Sequence, residues 1–379
     1  MSRNQLKCVL KLAVGAAVLA MSMGAQAATA NNGVVVSVAP EKDSLGKSDD
    51  VFVKVTFTNT SGSPQYVLKS HTPFEGVSAP VFEVTRDGQP VRYMGKIVKR
   101  AAPTAADYYL LKPGASYTVK VELSSLYDMA TTGDYAVTYH AASPQLFADG
   151  GLGAHVTAAS AGGTQDGGKK AGELQSDTAS MWIDGTRPRG SREETKSLAE
   201  MQAASGMVTA ASLSTTSCSS SQQSTIASAL SAAQTYANNA DAYMAKTTMG
   251  SRYTKWFGAV NSTRVATIKS HFANIKSTLA SKPINVNCGC TDTSYAYVYP
   301  SQPYTIYVCK AFWSAPLTGT DSKAGTLIHE TSHFTVVAGT DDWAYGQSAA
   351  ASLATSNPSK AVDNADSHEY FSENNPALN

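Results

Sequence analysis

Over the first part of the chain, apolar and polar positions alternate with a period of two. Val34-Val35-Val36-Ser37-Val38 and Val51-Phe52-Val53-Lys54-Val55-Thr56-Phe57 are runs of β-branched and aromatic residues, the composition that suits a pleated, half-buried surface. Similar runs stand at 81–84, 117–121 and 135–139, with the turn dipeptides Asp87-Gly88 and Pro113-Gly114 between them. Short strands with no helical period between them predict an antiparallel β-sandwich of immunoglobulin-like type over about 33–185, closed by a last strand at 180–183. Gly, Ala, Ser and Thr are abundant from about 145 to 213, and about 186–213 reads as a loose linker carrying Arg187, Arg189, Arg192 and Lys196. Beyond 213 the period changes to that of a helix. Ser220-x-x-Gln223 is a capping box, followed by Ile226, Leu230, Ala233, Ala237, Ala240 and Met244 at helical spacing. A second helix carries Val265, Ile268, Phe272, Ile275 and Leu279; a strand-like stretch runs from Tyr295 to Cys309. A third helix is predicted from Ala324 to Ala338, stopped by Gly339. The second domain, 214–379, is therefore expected to be mainly α, with some β (α+β).

The N-terminus and the cysteines add a compartment. Arg3, Lys7 and Lys11 lead into an apolar run over 12–23, and Ala25-Gln26-Ala27 follows as a small-x-small site. This is the pattern of a secretory signal peptide over 1–27, so the mature protein is expected to be secreted. The run is shorter than the roughly 20 apolar residues of a membrane helix, and no membrane span is expected after cleavage. Cys8 leaves with the leader, while Cys218, Cys288, Cys290 and Cys309 remain. An even number in an exported chain reads as two disulfides. Only Gly289 separates Cys288 from Cys290, which disfavours a bridge between them and leaves two pairings open. A cysteine metal knuckle is the competing reading, but Cys-x-Cys is tighter than its usual spacing. With 30 basic against 29 acidic side chains, no charge excess favours nucleic acid or an anionic membrane as partner. His71 and His140 stand apart from other chemistry in the β-rich half and are expected to be structural or exposed.

The chemistry gathers on the third helix, where His329-Glu330-Thr331-Ser332-His333 forms an H-E-x-x-H pentapeptide. Residues i and i+4 share a helix face, so both imidazoles reach one ion, while Glu330 stands beside it as a base for water. A catalytic zinc takes three protein ligands and keeps one position open. No third histidine follows at the short metzincin spacing, and no second helix offers an obvious glutamate as in thermolysin-like enzymes. The helix instead stops at Gly339-Thr340, and a turn there would bring a following carboxylate back toward the histidines.

The combination of H-E-x-x-H with G-T-x-D-x-x-Y-G, here Gly339-Thr340-Asp341-Asp342-Trp343-Ala344-Tyr345-Gly346, resembles the signature of the aspzincins, the deuterolysin-type zinc metalloendopeptidases. The resemblance implies one catalytic Zn2+ held by His329, His333 and Asp342, with Asp341 as the variable neighbour. It gives Tyr345 the role of stabilising the oxyanion. Further segments resemble the fungal peptidyl-Lys metalloendopeptidases: Cys218-Ser219-Ser220-Ser221, Tyr253-Thr254-Lys255-Trp256-Phe257-Gly258, Ala296-Tyr297-Val298-Tyr299-Pro300, Ala311-Phe312-Trp313 and Gly319-Thr320-Asp321-Ser322. The likeness covers essentially all of 214–379, and implies a zincin catalytic domain there with disulfides Cys218–Cys288 and Cys290–Cys309. For the upstream sandwich it extends to bacterial members, the fungal ones being expected to carry different propeptides. Asn364-Ala365-Asp366-Ser367-His368-Glu369-Tyr370-Phe371 resembles the loop that shapes the S1′ pocket of the peptidyl-Lys enzymes, which puts Asp366 and Glu369 on the substrate ammonium. Two acids three residues apart can face one way on a helical turn, and an ammonium offers three donors to them. His368, between them, is expected not to be a ligand.

The resulting expectation is a secreted, monomeric zinc endopeptidase that cleaves proteins or peptides on the amino side of lysine. Residues 28–213 would be a propeptide acting as intramolecular inhibitor. The alternatives are a broad-specificity deuterolysin-like peptidase, or a secreted binding or adhesion protein with a structural zinc. Within the β-rich half, the loop 95–100 carries Lys96 and Lys99 and is a candidate to enter the acidic pocket as a substrate would; solvated charges on a hairpin are the plainer reading. The mature N-terminus is expected near Ser214. No lysine lies between Lys196 and that point, so strict self-cleavage before lysine does not produce it directly.

Overall fold

The computed structural model describes residues 31–148, 172–185 and 212–379. The expected leader at 1–27 and nearly all of the expected linker, Lys196 included, lie outside the described residues. The N-terminal part is β-rich and the C-terminal part is helical.

In the first part, Phe52–Asn59 pairs antiparallel with Val34–Pro40 on one side and Ser116–Glu122 on the other. A second sheet is built around Gly133–Ser143, flanked by Phe82–Arg86 and Ala179–Ile183. Val53, Val55 and Phe57 share one core with Tyr135, Val137 and Tyr139, because alternate residues of a strand point to the same face. Each strand predicted from the alternation is present, with ends shifted by a few residues. The hairpin at Asp87-Gly88 takes positive φ at both residues, 49° and 78°, which matches the twist of its flanking strands. His71 is buried, and burial pushes its pKa down to about 4. His140 is held between Glu83 and Glu173. Both histidines serve the β region.

In the second part, the helices Ser220–Met244 and Ser262–Ser281 pack together in one core. The first presents the small residues Ala229, Ala233, Ala237 and Ala240, which allow close approach of the second with Ile268, Phe272, Ile275 and Leu279. Burial of a side chain such as Phe272 or Ile275 contributes about 1.5–3 kcal/mol. The capping box is formed by Ser219 and Gln222, one residue earlier than expected. The Ser219-Ser220-Ser221 run offers overlapping boxes, and the disulfide at Cys218 anchors the chain just before the first. The pairs Cys218–Cys288 and Cys290–Cys309 are both formed.

A five-stranded sheet runs in the order Leu213–Thr216, Ile284–Asn287, Thr305–Val308, Ala296–Val298, Ile97–Lys99. Its first strand starts one residue before the expected domain boundary at 214. Its last strand comes from the N-terminal half and lies antiparallel to Ala296–Val298, with Lys99 opposite Ala296 and Val98 opposite Tyr297. An open sheet edge presents unpaired backbone donors and acceptors that an extended segment can satisfy. Here the chain satisfies its own edge.

Candidate metal centre and the acidic pocket beside it

The motif helix spans Lys323–His333 and is buried along its whole length. Ser322 caps it, its Oγ accepting from the Gly325 N–H at 2.9 Å. The helix was expected to reach Ala338 but ends five residues sooner, with Phe334 in a non-helical conformation. The reason lies in the bonds made beyond it. The Ser332 carbonyl accepts from Thr340 N–H at 3.2 Å, and His333 Nδ1 lies 2.6 Å from the Thr340 carbonyl. A continuous helix would carry Thr340 away from both.

The Thr340 carbonyl can only accept, so His333 carries its proton on Nδ1 and turns a bare Nε2 inward. That Nε2 is 3.6 Å from Asp342 Oδ1, and His329 Nε2 is 3.2 Å from the same oxygen. Ligand atoms of His329, His333 and Asp342 all lie within 4.8 Å of one another. Both Nε2 atoms and Asp342 Oδ1 are buried without a hydrogen-bond partner. Buried polar atoms are rarely left unpaired, and these converge in a way that suits a cation. Two imidazoles and a carboxylate are a donor set that fits zinc and leaves a position for a reacting group. Burial opposes the charge on Asp342, yet His329 and His333 keep its carboxyl below the usual carboxylate range. Both oxygens of Glu330 are likewise buried and unpaired, and burial pushes its carboxyl up to about 8.

Asp342 and Tyr345 arrive by a turn at Gly339, whose φ of +63° is readily adopted by glycine. The following loop is stitched to the start of the pocket helix, Ala365–Glu373. Asp341 N–H donates to the Asp363 carbonyl at 2.8 Å, and Ala365 N–H to the Asp341 carbonyl at 3.0 Å. Asn364 Oδ1 accepts from the backbone N–H groups of Trp343 and Ala344. The Tyr345 hydroxyl then stands 3.1 Å from Asp342 Oδ2 and 3.0 Å from the Val98 carbonyl oxygen. Gln145, from the β-rich half, accepts from Tyr345 N–H and donates to its carbonyl, each at 3.1 Å.

Lys99 enters the site. Its ammonium is fully buried, 2.6 Å from Glu369 Oε2 and 3.4 Å from Asp366 Oδ1. Burial works against the charge, but Asp366 and Glu369 hold the ammonium pKa well above its ordinary value. Lys96, the other lysine of the loop, stays at the surface 3.8 Å from Asp292, where an ion pair contributes little. The pocket and the metal-binding group share a wall. His329 Nδ1 is 2.9 Å from Asp366 Oδ1 and 3.3 Å from Glu369 Oε2, close contacts that are not aligned as hydrogen bonds. Asp366 Oδ2 accepts from Gly346 N–H at 2.7 Å. His368 points elsewhere, to the Asn364 carbonyl and His271, and burial holds its pKa down to about 3.

The seven expected site residues His329, Glu330, His333, Asp342, Tyr345, Asp366 and Glu369 thus come together. Sequence reasoning missed Gln145 and the role of the Thr340 carbonyl. A lone loop glutamine carries no pattern, and Thr340 sat inside the motif as an apparent spacer.

A family model described as lysine-specific metallo-endopeptidase matches residues 242–373. An extracellular protease of Aeromonas hydrophila is 45% identical over 88% of this chain and 91% of its own. A peptidyl-Lys metalloendopeptidase of Armillaria mellea is 36% identical over 94% of this chain and 96% of its own. Among solved structures, a zinc peptidase from Grifola frondosa is 54% identical, covering 43% of this chain and 100% of that one, with a TM-score of 0.42. The matches to bacterial and fungal relatives both run through the β-rich half, so that region is not confined to bacterial members as expected. Similarity on this scale, along nearly the whole length of such relatives, makes the chain a member of the aspzincin family of zinc metalloendopeptidases.

Proposed function

We propose that this aspzincin is a secreted endopeptidase that cuts on the amino side of lysine and is made as a latent proenzyme. The observation that carries the reading is Lys99 itself. Its ammonium lies between Asp366 and Glu369, and the carbonyl before it, that of Val98, meets the Tyr345 hydroxyl. A lysine in the pocket with the preceding carbonyl on a hydroxyl donor is the arrangement expected of a P1′ residue and its scissile bond. The strand runs antiparallel to the sheet edge, and its backbone is bound as a substrate backbone would be.

On this reading 1–27 is the leader and 28–213 a propeptide: an immunoglobulin-like sandwich over about 33–185, then a linker. Residues 214–379 form the catalytic domain. The propeptide inhibits by occupying the cleft, with Gln145 gripping the Tyr345 backbone. His329, His333 and Asp342 hold one zinc ion, which when bound would acidify a water and polarise the scissile carbonyl. Glu330, buried beside these ligands with both oxygens unpaired, takes the proton from the attacking water and passes it to the leaving amine. Tyr345 donates to the oxygen that becomes negative. Asp366 and Glu369 bind the ammonium in S1′. A broad-specificity peptidase would have little use for two fully buried acids beside the site, and an adhesion protein with a structural zinc none for Glu330 and Tyr345.

The test is a digest of a denatured protein by the mature secreted enzyme, read as new N-termini by mass spectrometry, alongside zinc content of Glu330→Gln and Asp342→Ala. Lysine should dominate the new N-termini, Glu330→Gln should keep zinc without turnover, and Asp342→Ala should lose zinc. An absence of lysine enrichment removes the specificity reading. An active Glu330→Gln removes the mechanism. N-terminal sequencing of the secreted forms tests the boundaries at 27 and 213.

A further inference from the structure

We infer that Asp321 and Tyr295 are additional lysine-selecting residues of the primed-side pocket, completing a cage around the substrate ammonium. The inference rests on the reading of Lys99 as a P1′ mimic. Asp366 and Glu369 cover one side of Lys99 Nζ from the pocket helix. Asp321 approaches from another element, the loop before the motif helix, with Oδ1 at 3.8 Å. The ring of Tyr295 lies on a further side, its centroid 5.0 Å away, within the range of a cation–π contact. An ammonium has three N–H donors spread in tetrahedral directions. Asp366 accepts from one of them and Glu369 lies in ionic contact, while Asp321 adds negative charge at 3.8 Å rather than a hydrogen bond, and the ring faces the charge as well.

Both residues are fixed in place. The Tyr370 hydroxyl donates to Asp321 Oδ1 at 2.6 Å, and Asp321 N–H donates to Glu373 Oε2 at 3.2 Å. Glu373 also accepts from Ser322 N–H and Oγ–H, so the loop that carries Asp321 is tied to the pocket helix. Gly325 makes room for this: a Cβ there would meet Glu373 Oε1 at 2.1 Å. Tyr295 contributes twice, since its N–H donates to the Lys99 carbonyl at 3.1 Å. It therefore aligns the backbone of the residue whose side chain its ring receives. The side chain of Asp321 is 37% exposed, whereas Asp366 and Glu369 are fully buried. Asp321 is thus the acid at the mouth, reached first by an incoming lysine.

The experiment uses the mature enzyme processed from the full chain. It compares kcat/KM for two peptides identical except for lysine or norleucine at P1′. Asp321→Asn, which keeps an acceptor for Tyr370, should reduce the lysine-to-norleucine ratio about fivefold, the upper range for a partly exposed ion pair. Tyr295→Leu should reduce it about three- to thirtyfold, and Tyr295→Phe, which keeps the ring, should restore it. The loss should fall mainly on KM for the lysine peptide, with zinc content unchanged. If the parent enzyme shows no preference for lysine, the underlying P1′ reading fails. If the parent prefers lysine and both Asp321→Asn and Tyr295→Leu keep its ratio within twofold, the cage alone is overturned. Should Tyr295→Leu not fold, Asp321→Asn decides for the acid and Tyr295→Phe against Tyr295→Met for the ring.

Discussion

Replacing Lys99 by methionine tests the proposed latent state. Methionine keeps much of the length and the apolar stem of lysine but carries no charge. In the folded chain the ammonium is fully buried against Glu369 at 2.6 Å and Asp366 at 3.4 Å. Both carboxylates are fully buried as well. Removing one partner of a buried ion pair costs about 3–5 kcal/mol, because the charge left behind is neither solvated nor paired. Here the acids can escape part of that cost if the cleft opens and water returns, so the lower figure, about 3 kcal/mol, applies. At about 1.4 kcal/mol per tenfold, the open form should become about a hundredfold more populated. The assay uses full-length chain carrying Glu330→Gln, to prevent self-cleavage, and a fluorescent lysine-containing peptide followed by anisotropy. The Lys99 form should exclude the peptide at concentrations where the Lys99→Met form binds it, and Lys99→Met should unfold at lower temperature. Equal exclusion and equal unfolding midpoints in the two forms would refute the argument, since the ammonium would then not be what holds the strand.

Asp366 touches both the Lys99 ammonium and His329 Nδ1, so Asp366→Asn should weaken zinc retention about 10- to 100-fold as well as the proposed cleavage before lysine. Chelator competition on the inactive Glu330→Gln form measures the first effect, and unchanged zinc affinity would rule out a role in orienting His329. Gln145→Ala removes two buried hydrogen bonds to the Tyr345 backbone and should loosen the contact between the β-rich and helical parts by about 1–3 kcal/mol. Faster hydrogen exchange at Tyr345 N–H in the full-length chain is the expected sign, and an unchanged rate would show that the Gln145 bonds do not hold the two halves together.

Whatever depended on short spacing was legible without coordinates. His329 and His333 are four apart on a helix, so their common face follows from helical geometry. The run 51–57 reads as a strand because its β-branched and aromatic residues, alternating with polar ones from Val53 on, match the two-residue period of a pleated strand. The Asp342 and Tyr345 assignments came from resemblance, and the loop from Gly339 does return them to the histidines. Segment ends were less secure. The end of the motif helix was misplaced because the apolar run Val336-Val337-Ala338 continues the helical pattern, while the bonds to Thr340 that break it are visible only in three dimensions.

What the amino-acid order determined by itself is the chemistry: an H-E-x-x-H helix, a carboxylate after a glycine turn, and two acids one helical turn apart. What only the tertiary structure decided is how these are connected and what they face. Lys99 lies 267 residues before Asp366, and nothing local in the sequence says which of the two loop lysines enters the pocket. The choice follows from strand register: with Val98 opposite Tyr297 and Lys99 opposite Ala296, Lys99 alone faces the acids, and Lys96 is left at the surface. The shared wall between His329 and Asp366, the mouth formed by Asp321 and Tyr295, and the grip of Gln145 arise in the same way. Each joins residues that are far apart in sequence, through packing and pairing that no spacing rule encodes.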